Sequence, residues 1–205
     1  MVDPKKPPKI YYKPVLKPPV KKAEDDVLDV KKELWQEVIS WAKTIIFTLL
    51  LAFAINNFVI VNAVVPTGSM EDTIQVNNRI VAFRLSYLFR EPRRYEMVVF
   101  RGPPGDRTLY VKRILGLPGE TLHIRDGHVY INGSDVPQRS EFVKGTLFGD
   151  FGPIDIPEGE FFVLGDYRAI SVDSRQWEEI NIPRGRILGR VIFRYFPGFS
   201  NLTNK

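Results

Sequence analysis

The sequence predicts a mainly β domain that follows a single N-terminal transmembrane helix. No charged residue occurs between Lys43 and Glu71, and most of this stretch is strongly apolar. Beyond it, short runs of alternating apolar and polar residues are separated by glycine and proline, which is typical of strands. With 205 residues and no cysteine, the chain has room for one compact domain held together without disulfides.

Residues 1–24 are predicted to form a disordered cytoplasmic tail. Lysine and proline dominate it, as in Lys5-Lys6-Pro7-Pro8 and Lys17-Pro18-Pro19, and such a composition cannot bury a core. The tail also carries much of the basic excess behind the net charge of +5. That distribution suits a membrane surface, and no basic, aromatic-rich motif indicates nucleic acid. We therefore expect no nucleic-acid partner.

Residues 25–43 are predicted to form an amphipathic juxtamembrane helix, and residues 44–65 the transmembrane helix. In the second segment seventeen of twenty-two residues are apolar, and at 1.5 Å per residue it extends roughly 33 Å, enough to cross a bilayer. In the first segment apolar residues recur at spacings of three and four, which places them on one helix face: Val27, Val30, Leu34, Val38 and Trp41.

The length of the apolar span allows two other interpretations. Asn56-Asn57 leaves only residues 44–55 unbroken, a length shared by buried soluble helices and by signal-peptide cores. A charged leader of 43 residues is far too long for a cleavable signal peptide. Because lysines such as Lys31, Lys32 and Lys43 precede the span, we expect a single-pass plasma-membrane protein with a cytoplasmic N-terminus and an extracytoplasmic domain over residues 66–205.

The extracytoplasmic part is predicted to be built from strands. A two-residue hairpin turn is expected at Asp126-Gly127, between two alternating runs. The predicted strand segments are residues 79–83, 97–101, 108–115, 121–131, 160–164 and 186–196.

Ser69 is the candidate nucleophile, a few residues beyond the span, and a serine hydroxyl needs a neighbouring base. The two histidines, His123 and His128, flank the Asp126-Gly127 turn and are interpreted as solvated or cross-strand residues. Lys112 lies in an otherwise apolar strand, where burial would lower the pKa of its ammonium and make it a base. Periodicity alone leaves open that Lys112 faces solvent and Arg113 faces inward.

Three segments, in order, resemble the sequence boxes of bacterial type I signal peptidases, and the resemblance extends over residues 42–197. It implies a signal-peptidase-like (LexA-like) β-barrel and β-ribbon domain that removes signal peptides after Ala-x-Ala sites, without cofactor or metal. The implied partners are preprotein signal peptides, the lipid bilayer and the secretion translocon. The matching segments are Pro66-Thr67-Gly68-Ser69-Met70 with Thr73-Ile74, residues 110–120, and Gly165-Asp166-Tyr167-Arg168-x-x-Ser171-x-Asp173-Ser174-Arg175.

By this resemblance, Ser69 attacks the scissile carbonyl and Lys112 removes its proton. The supporting residues it implies are Thr67, with the Ser69 backbone N–H, as oxyanion donors; Ser171, orienting the lysine amine; Asp173 and Arg175, a structural ion pair; and Met70, lining the substrate groove.

Three positions depart from the family pattern. Asp72 stands where proline is usual, Tyr167 where asparagine is usual, and Gln176-Trp177-Glu178-Glu179 replaces a glycine-bearing stretch. These departures leave the two reacting side chains in place and concern the substrate groove. The resemblance also predicts a small hairpin insertion around residues 134–158, and for the apolar patch Leu85–Phe89 either bilayer contact or core packing.

Two rival functions remain for comparison. A self-cleaving repressor with the same Ser/Lys chemistry would need an N-terminal DNA-binding helical domain, where this chain has a lysine-proline tail and an apolar span. A catalytically degenerate, membrane-tethered peptide-binding protein would keep the groove without the chemistry. Retention of Ser69, Lys112 and Ser171 favours an active peptidase.

Overall fold

The computed structural model describes residues 20–103, 105–106, 108–145 and 149–203. It divides into two compact units, Met1–Leu51 and Ala52–Lys205. The predicted disordered tail falls mainly on residues 1–19, outside the described residues. Its last five residues were assigned wrongly, because helix α1 spans Val20–Ala54 and so begins before residue 25.

Helix α1 continues into a π-helical turn at Ile55–Val59. The stretch Asp26–Val59 is long and apolar enough to cross a membrane. The predicted span of residues 44–65 is wrong at its C-terminal end, since Ile60–Val64 forms strand β1. Asn57 Nδ2 donates to the carbonyl of Phe53 at 2.8 Å, and the backbone then becomes extended at Ile60, where β-branched residues favour a strand.

Ten strands follow β1 in the described residues, joined by short turns and single turns of 3₁₀ helix. The mainly β architecture predicted from the sequence is confirmed. The strand bounds are β2 Arg79–Phe83, β3 Met97–Arg101, β4 Leu109–Gly116, β5 Thr121–Arg125, β6 His128–Ile131, β7 Phe151–Asp155, β8 Glu160–Leu164, β9 Ile182–Pro183, β10 Ile187–Phe196 and β11 Ser200–Asn201.

The strands form two antiparallel sheets. The larger sheet has the order β1-β2-β10-β3-β4-β8-β9, with β11 paired to β10. The smaller sheet has the order β6-β5-β7. Strand β4 carries the candidate base, with Lys112 opposite Val98 of β3. On its other edge, β4 pairs with β8 only from Arg113 onward.

The smaller sheet confirms one prediction, the hairpin turn at Asp126-Gly127, and corrects another, the hairpin around residues 134–158. Strands β5 and β6 form the expected hairpin, whose turn residues Asp126 and Gly127 have φ of 49° and 77°, as a two-residue turn of this kind requires. The hairpin expected around residues 134–158 is not formed in the described part of that segment. Instead β7 pairs with the edge of β5 that β6 leaves open, because that pairing satisfies backbone groups which a separate hairpin would leave exposed.

Three apolar clusters form the core. One lies beneath β1 and β2 and includes Met70, one includes Leu122 and Phe162, and the third includes Val98 and Phe100. The apolar patch Leu85–Phe89 is split between core and surface. Tyr87 is buried in the third cluster, whereas Leu88 and Phe89 are 62% and 91% exposed, so core packing accounts for only part of the patch.

Candidate active site

Ser69 lies on a tight turn that the core holds in place. The turn is a single 3₁₀ turn, Gly68–Met70, closed by the Glu71 N–H donating to the Gly68 carbonyl at 2.9 Å. Met70 is fully buried in the first core cluster. The backbone N–H of Tyr167 donates to the Ser69 carbonyl at 3.0 Å. The serine is thus anchored by its own neighbour and by a distant loop.

Lys112 is buried inside the domain, with only 3% of its surface exposed. Its Nζ donates to Ser171 Oγ at 3.1 Å. Burial lowers the pKa of the Lys112 ammonium to about 8; Arg175 also lowers it, whereas Asp173 and Asp166 raise it. About a tenth of this lysine at pH 7, and most of it above pH 8, is therefore a neutral amine able to accept a proton.

Arg113, next to Lys112, is buried as well. The alternative in which Lys112 faces solvent and Arg113 faces inward is therefore wrong for Lys112 and right for Arg113, since this part of β4 is covered on both faces. The Arg113 guanidinium donates to both oxygens of Asp166, at 2.7 and 2.5 Å. Thr73 Oγ1 donates to the same carboxylate at 2.6 Å. Asp166 thus connects the strand of the lysine to the segment that follows the serine.

Gly165 allows these groups to approach one another. A side chain there would place its Cβ 2.2 Å from Ser171 Oγ and 2.5 Å from the Ser69 carbonyl oxygen. Real Cβ atoms essentially never approach so closely. Only glycine fits between the serine turn and the residue that contacts Lys112.

Asp173 and Arg175 form an ion pair behind Ser171. The guanidinium of Arg175 donates to the two Asp173 carboxylate oxygens at 2.8 and 3.0 Å. The same carboxylate accepts the Gly165 N–H at 3.0 Å, and Arg175 also donates to the Ser171 carbonyl at 3.3 Å. The pair therefore fixes the loop from which Ser171 reaches the lysine.

A groove of about 270 Å³ connects the candidate residues. Ser69 and Lys112 both line it. The Lys112 side chain donates to Ser171 Oγ, and the Ser69 side chain is paired with Thr67, whose Oγ1 lies 3.4 Å from Ser69 Oγ. Catalytic hydrogen bonds often tighten only once substrate is bound. The remaining apolar walls come from Ala63, Val64, Val65, Met70, Leu109, Val111, Ile170 and Val172.

All the predicted site residues lie in or directly behind this groove, whereas His123 and His128 lie in the smaller sheet. Sequence reasoning gave no role to Thr73, Arg113 or Gly165. Their only signal was their position inside the three matching boxes, because a buried salt bridge or a close approach depends on which distant residues meet.

A serine on a tight turn and a buried lysine amine in one groove are the arrangement expected of a serine–lysine hydrolase. Comparison with known proteins gives the family: the model of "Signal peptidase, peptidase S26" matches residues 38–196. The chain belongs to the signal peptidase family, among the type I signal peptidases, which are hydrolases of the serine endopeptidase class. Its activity is that of this family, removal of signal peptides by a serine protease.

Two bacterial relatives agree with this assignment. The chain is 35% identical over 170 residues to a probable signal peptidase I-2 of Synechocystis sp., covering 80% of this chain and 74% of the relative. Signal peptidase I T of Bacillus subtilis is 34% identical over 167 residues, with 78% and 86% covered. A crystal structure of a signal peptidase I from Enterococcus faecalis superposes with a TM-score of 0.42 at 30% identity, over 49% of this chain and 97% of that one.

Proposed function

We propose that the chain cuts preproteins after Ala-x-Ala sites at the outer face of the plasma membrane, with Ser69 as nucleophile and Lys112 as general base. The observation that carries the proposal is the buried Lys112 amine, which is oriented by Ser171 and lines the same groove as Ser69. Most lysines are charged at neutral pH, and burying one has a cost in folding free energy. Such a cost is typical of functional sites.

Acylation begins when Ser69 Oγ attacks the carbonyl carbon of the scissile bond. Its proton passes to Lys112 Nζ, and the carbonyl oxygen becomes an oxyanion. The Ser69 backbone N–H and the Thr67 hydroxyl are the proposed donors to that oxygen; one such donor contributes about 3 kcal/mol to transition-state stabilisation. Lys112 then gives its proton to the departing amine, the C–N bond breaks, and the signal peptide remains as an ester on Ser69.

Deacylation uses the same base a second time. Neutral Lys112 takes a proton from water, whose oxygen attacks the ester carbon. Collapse of the second tetrahedral intermediate breaks the bond to Ser69 Oγ, which recovers the proton from Lys112. The bond from Lys112 Nζ to Ser171 Oγ at 3.1 Å holds the amine in place for both steps.

The groove fits a substrate bound as an extended strand. In the described sheet, β1 pairs only with β2, and residues 109–112 of β4 pair only with β3. Each strand therefore offers a free edge to the groove, where a peptide can add main-chain hydrogen bonds. Side chains of an extended peptide alternate, so those one and three residues before the cut point into the same wall. This supports selection of small residues at those two positions.

The purified protein in detergent is expected to cleave a synthetic peptide with an Ala-x-Ala site. A matched peptide with leucine three residues and phenylalanine one residue before the cut should be cleaved at least about 100-fold less well, because the larger side chains must be forced against the groove wall. Mass spectrometry of the products checks both. Binding of the Ala-x-Ala peptide without cleavage would instead support the degenerate, peptide-binding alternative, and equal cleavage of both peptides would contradict the proposed selectivity.

We also propose that the chain crosses the plasma membrane once, with its N-terminus in the cytoplasm. The bilayer, through α1, and the secretion translocon are the proposed partners. Lysines before the span support this orientation. Protease added outside spheroplasts should digest the β domain and spare an epitope placed before α1. Digestion of the epitope with protection of the β domain would reverse the orientation.

A further inference from the structure

The two single-residue departures from the family pattern meet at one lysine. Asp72 and Tyr167 are far apart in the sequence, yet Lys144 contacts both. Its Nζ lies 3.5 Å from Asp72 Oδ1 and 5.0 Å from the centre of the Tyr167 ring. It also lies 3.8 Å from Glu71 Oε2. Lys144 therefore bridges the loop that carries Tyr167 and the residues that directly follow Ser69 and Met70.

The backbone of Lys144 is fixed against the same loop. Its N–H donates to the Asp166 carbonyl at 2.8 Å, and its own carbonyl accepts the Arg168 N–H at 2.9 Å. On the opposite side of this loop, the Tyr167 N–H donates to the Ser69 carbonyl at 3.0 Å. The loop is thus held between Lys144 and the nucleophile turn, and the Lys144 side chain joins the two sides across the Tyr167 ring.

The backbone of Asp72 differs from that of the usual family residue. Asp72 has φ of 85°, in the left-handed region that residues with a Cβ rarely adopt. Proline, the usual family residue, has φ fixed near about −65° and cannot adopt this conformation. The turn after Ser69 therefore has its own geometry in this chain, and the Lys144 ammonium faces the carboxylate of its strained residue.

We infer that Lys144 is a positioning residue, which with Asp72 and Tyr167 holds the Ser69 turn in register with Lys112. The inference rests on the proposed role of Ser69 as nucleophile. An isolated exposed ion pair contributes little, and Lys144 is about 40% exposed. Here, however, one ammonium contacts two carboxylates and a ring while its backbone is fixed on both sides. A small displacement of a nucleophile has a large effect on rate, so modest contacts suffice.

The test compares Lys144→Met, Lys144→Arg and Arg139→Met in the full-length protein. Arg139 is a matched control, because it pairs with Glu141 and lies over the Tyr95 ring at 5.1 Å without contacting the nucleophile turn. Single-turnover cleavage of the Ala-x-Ala peptide with enzyme in excess is measured. Its amplitude reports how many molecules are competent, and its rate constant reports positioning.

Lys144→Met is expected to lower the rate constant about 5- to 10-fold, the effect of an exposed pair and a cation–π contact together. Its amplitude, the enzyme concentration that gives half the maximal rate constant, and the pH midpoint near 8 that Lys112 sets should stay unchanged. Lys144→Arg should restore the rate to within about threefold, since a guanidinium reaches the same groups. Arg139→Met should behave as wild type.

An unchanged rate constant in Lys144→Met, or a loss confined to the amplitude, would overturn the positioning role. An equal loss in Arg139→Met would show a general surface effect and overturn it too. Failure of the proposed function can be told apart from failure of the Lys144 role. If Ser69 is not the nucleophile, Ser69→Ala will retain cleavage, whatever the Lys144 variants do.

Discussion

Replacing Lys112 by methionine is expected to lower kcat/KM for the Ala-x-Ala peptide by about 10⁴-fold or more, the loss seen when a catalytic base is removed. Methionine fills most of the same buried volume but accepts no proton. Lys112→Arg should be equally inactive, because a guanidinium is not deprotonated in proteins. Initial rates from product quantification check both variants. Activity above about a tenth of wild type in either variant would rule out Lys112 as the base.

The pH dependence of the wild type follows from the same lysine. Its pKa in the folded protein is lowered to about 8 by burial, and the neutral amine is the active form. The rate is therefore expected to rise with pH, about tenfold per unit below pH 8, and to level off above it. A rate that is flat between pH 6 and 10 would contradict a neutral-lysine base.

The fold of the methionine variant provides a control. A lysine whose pKa is lowered from 10.5 to about 8 by folding binds fewer protons in the folded than in the unfolded state between these two values. The wild type therefore loses stability as the pH falls through this range, and the full loss is present below pH 8. Lys112→Met removes this buried ammonium. At pH 6 to 7 its Tm should therefore be at least that of the wild type, and loss of activity would not reflect unfolding.

Ser69→Ala is expected to lower kcat/KM by about 10⁴- to 10⁶-fold, the range measured when a serine nucleophile is removed. Alanine fits the buried position of Ser69 and preserves the backbone N–H proposed for the oxyanion. Peptide binding should therefore survive while cleavage does not. Fluorescence anisotropy with a labelled Ala-x-Ala peptide would measure the affinity, expected within about threefold of wild type.

A second measurement locates the covalent intermediate. Acid quenching of the wild type during turnover should trap the signal-peptide fragment as an ester on Ser69, detectable by mass spectrometry. The alanine variant should give no such adduct. An adduct on another residue, or cleavage by Ser69→Ala at more than about a tenth of the wild-type rate, would exclude Ser69 as the nucleophile.

Strand positions were largely predictable, because they depend on local sequence. Alternation and turn residues located β2, β3 and β8 with their observed bounds. The start of β1 was not predictable in this way. Ile60–Val64 continues the apolar composition of the span, and only its pairing with β2 makes it a strand. Apolar runs of this kind suit a buried helix and a strand equally well until their neighbours are known.

The burial of Lys112 was only one of the two orientations that its own strand allows, and the structure shows this one. Roles that depend on distant partners were less predictable. Arg113 gains its role only by meeting Asp166, and Lys144, in a segment expected to be a hairpin, only by meeting Asp72 and Tyr167. Such contacts are properties of the folded chain, so no local sequence pattern predicts them.

The free edges of β1 and β4 also bear on how the protein behaves in solution. Main-chain donors and acceptors carry no sequence information, so an open sheet edge pairs with any extended chain that reaches it. In the described part of this chain, two such edges border one groove. Either edge is therefore a place where a second extended chain could pair, and only the fit of its side chains to the groove would distinguish one chain from another.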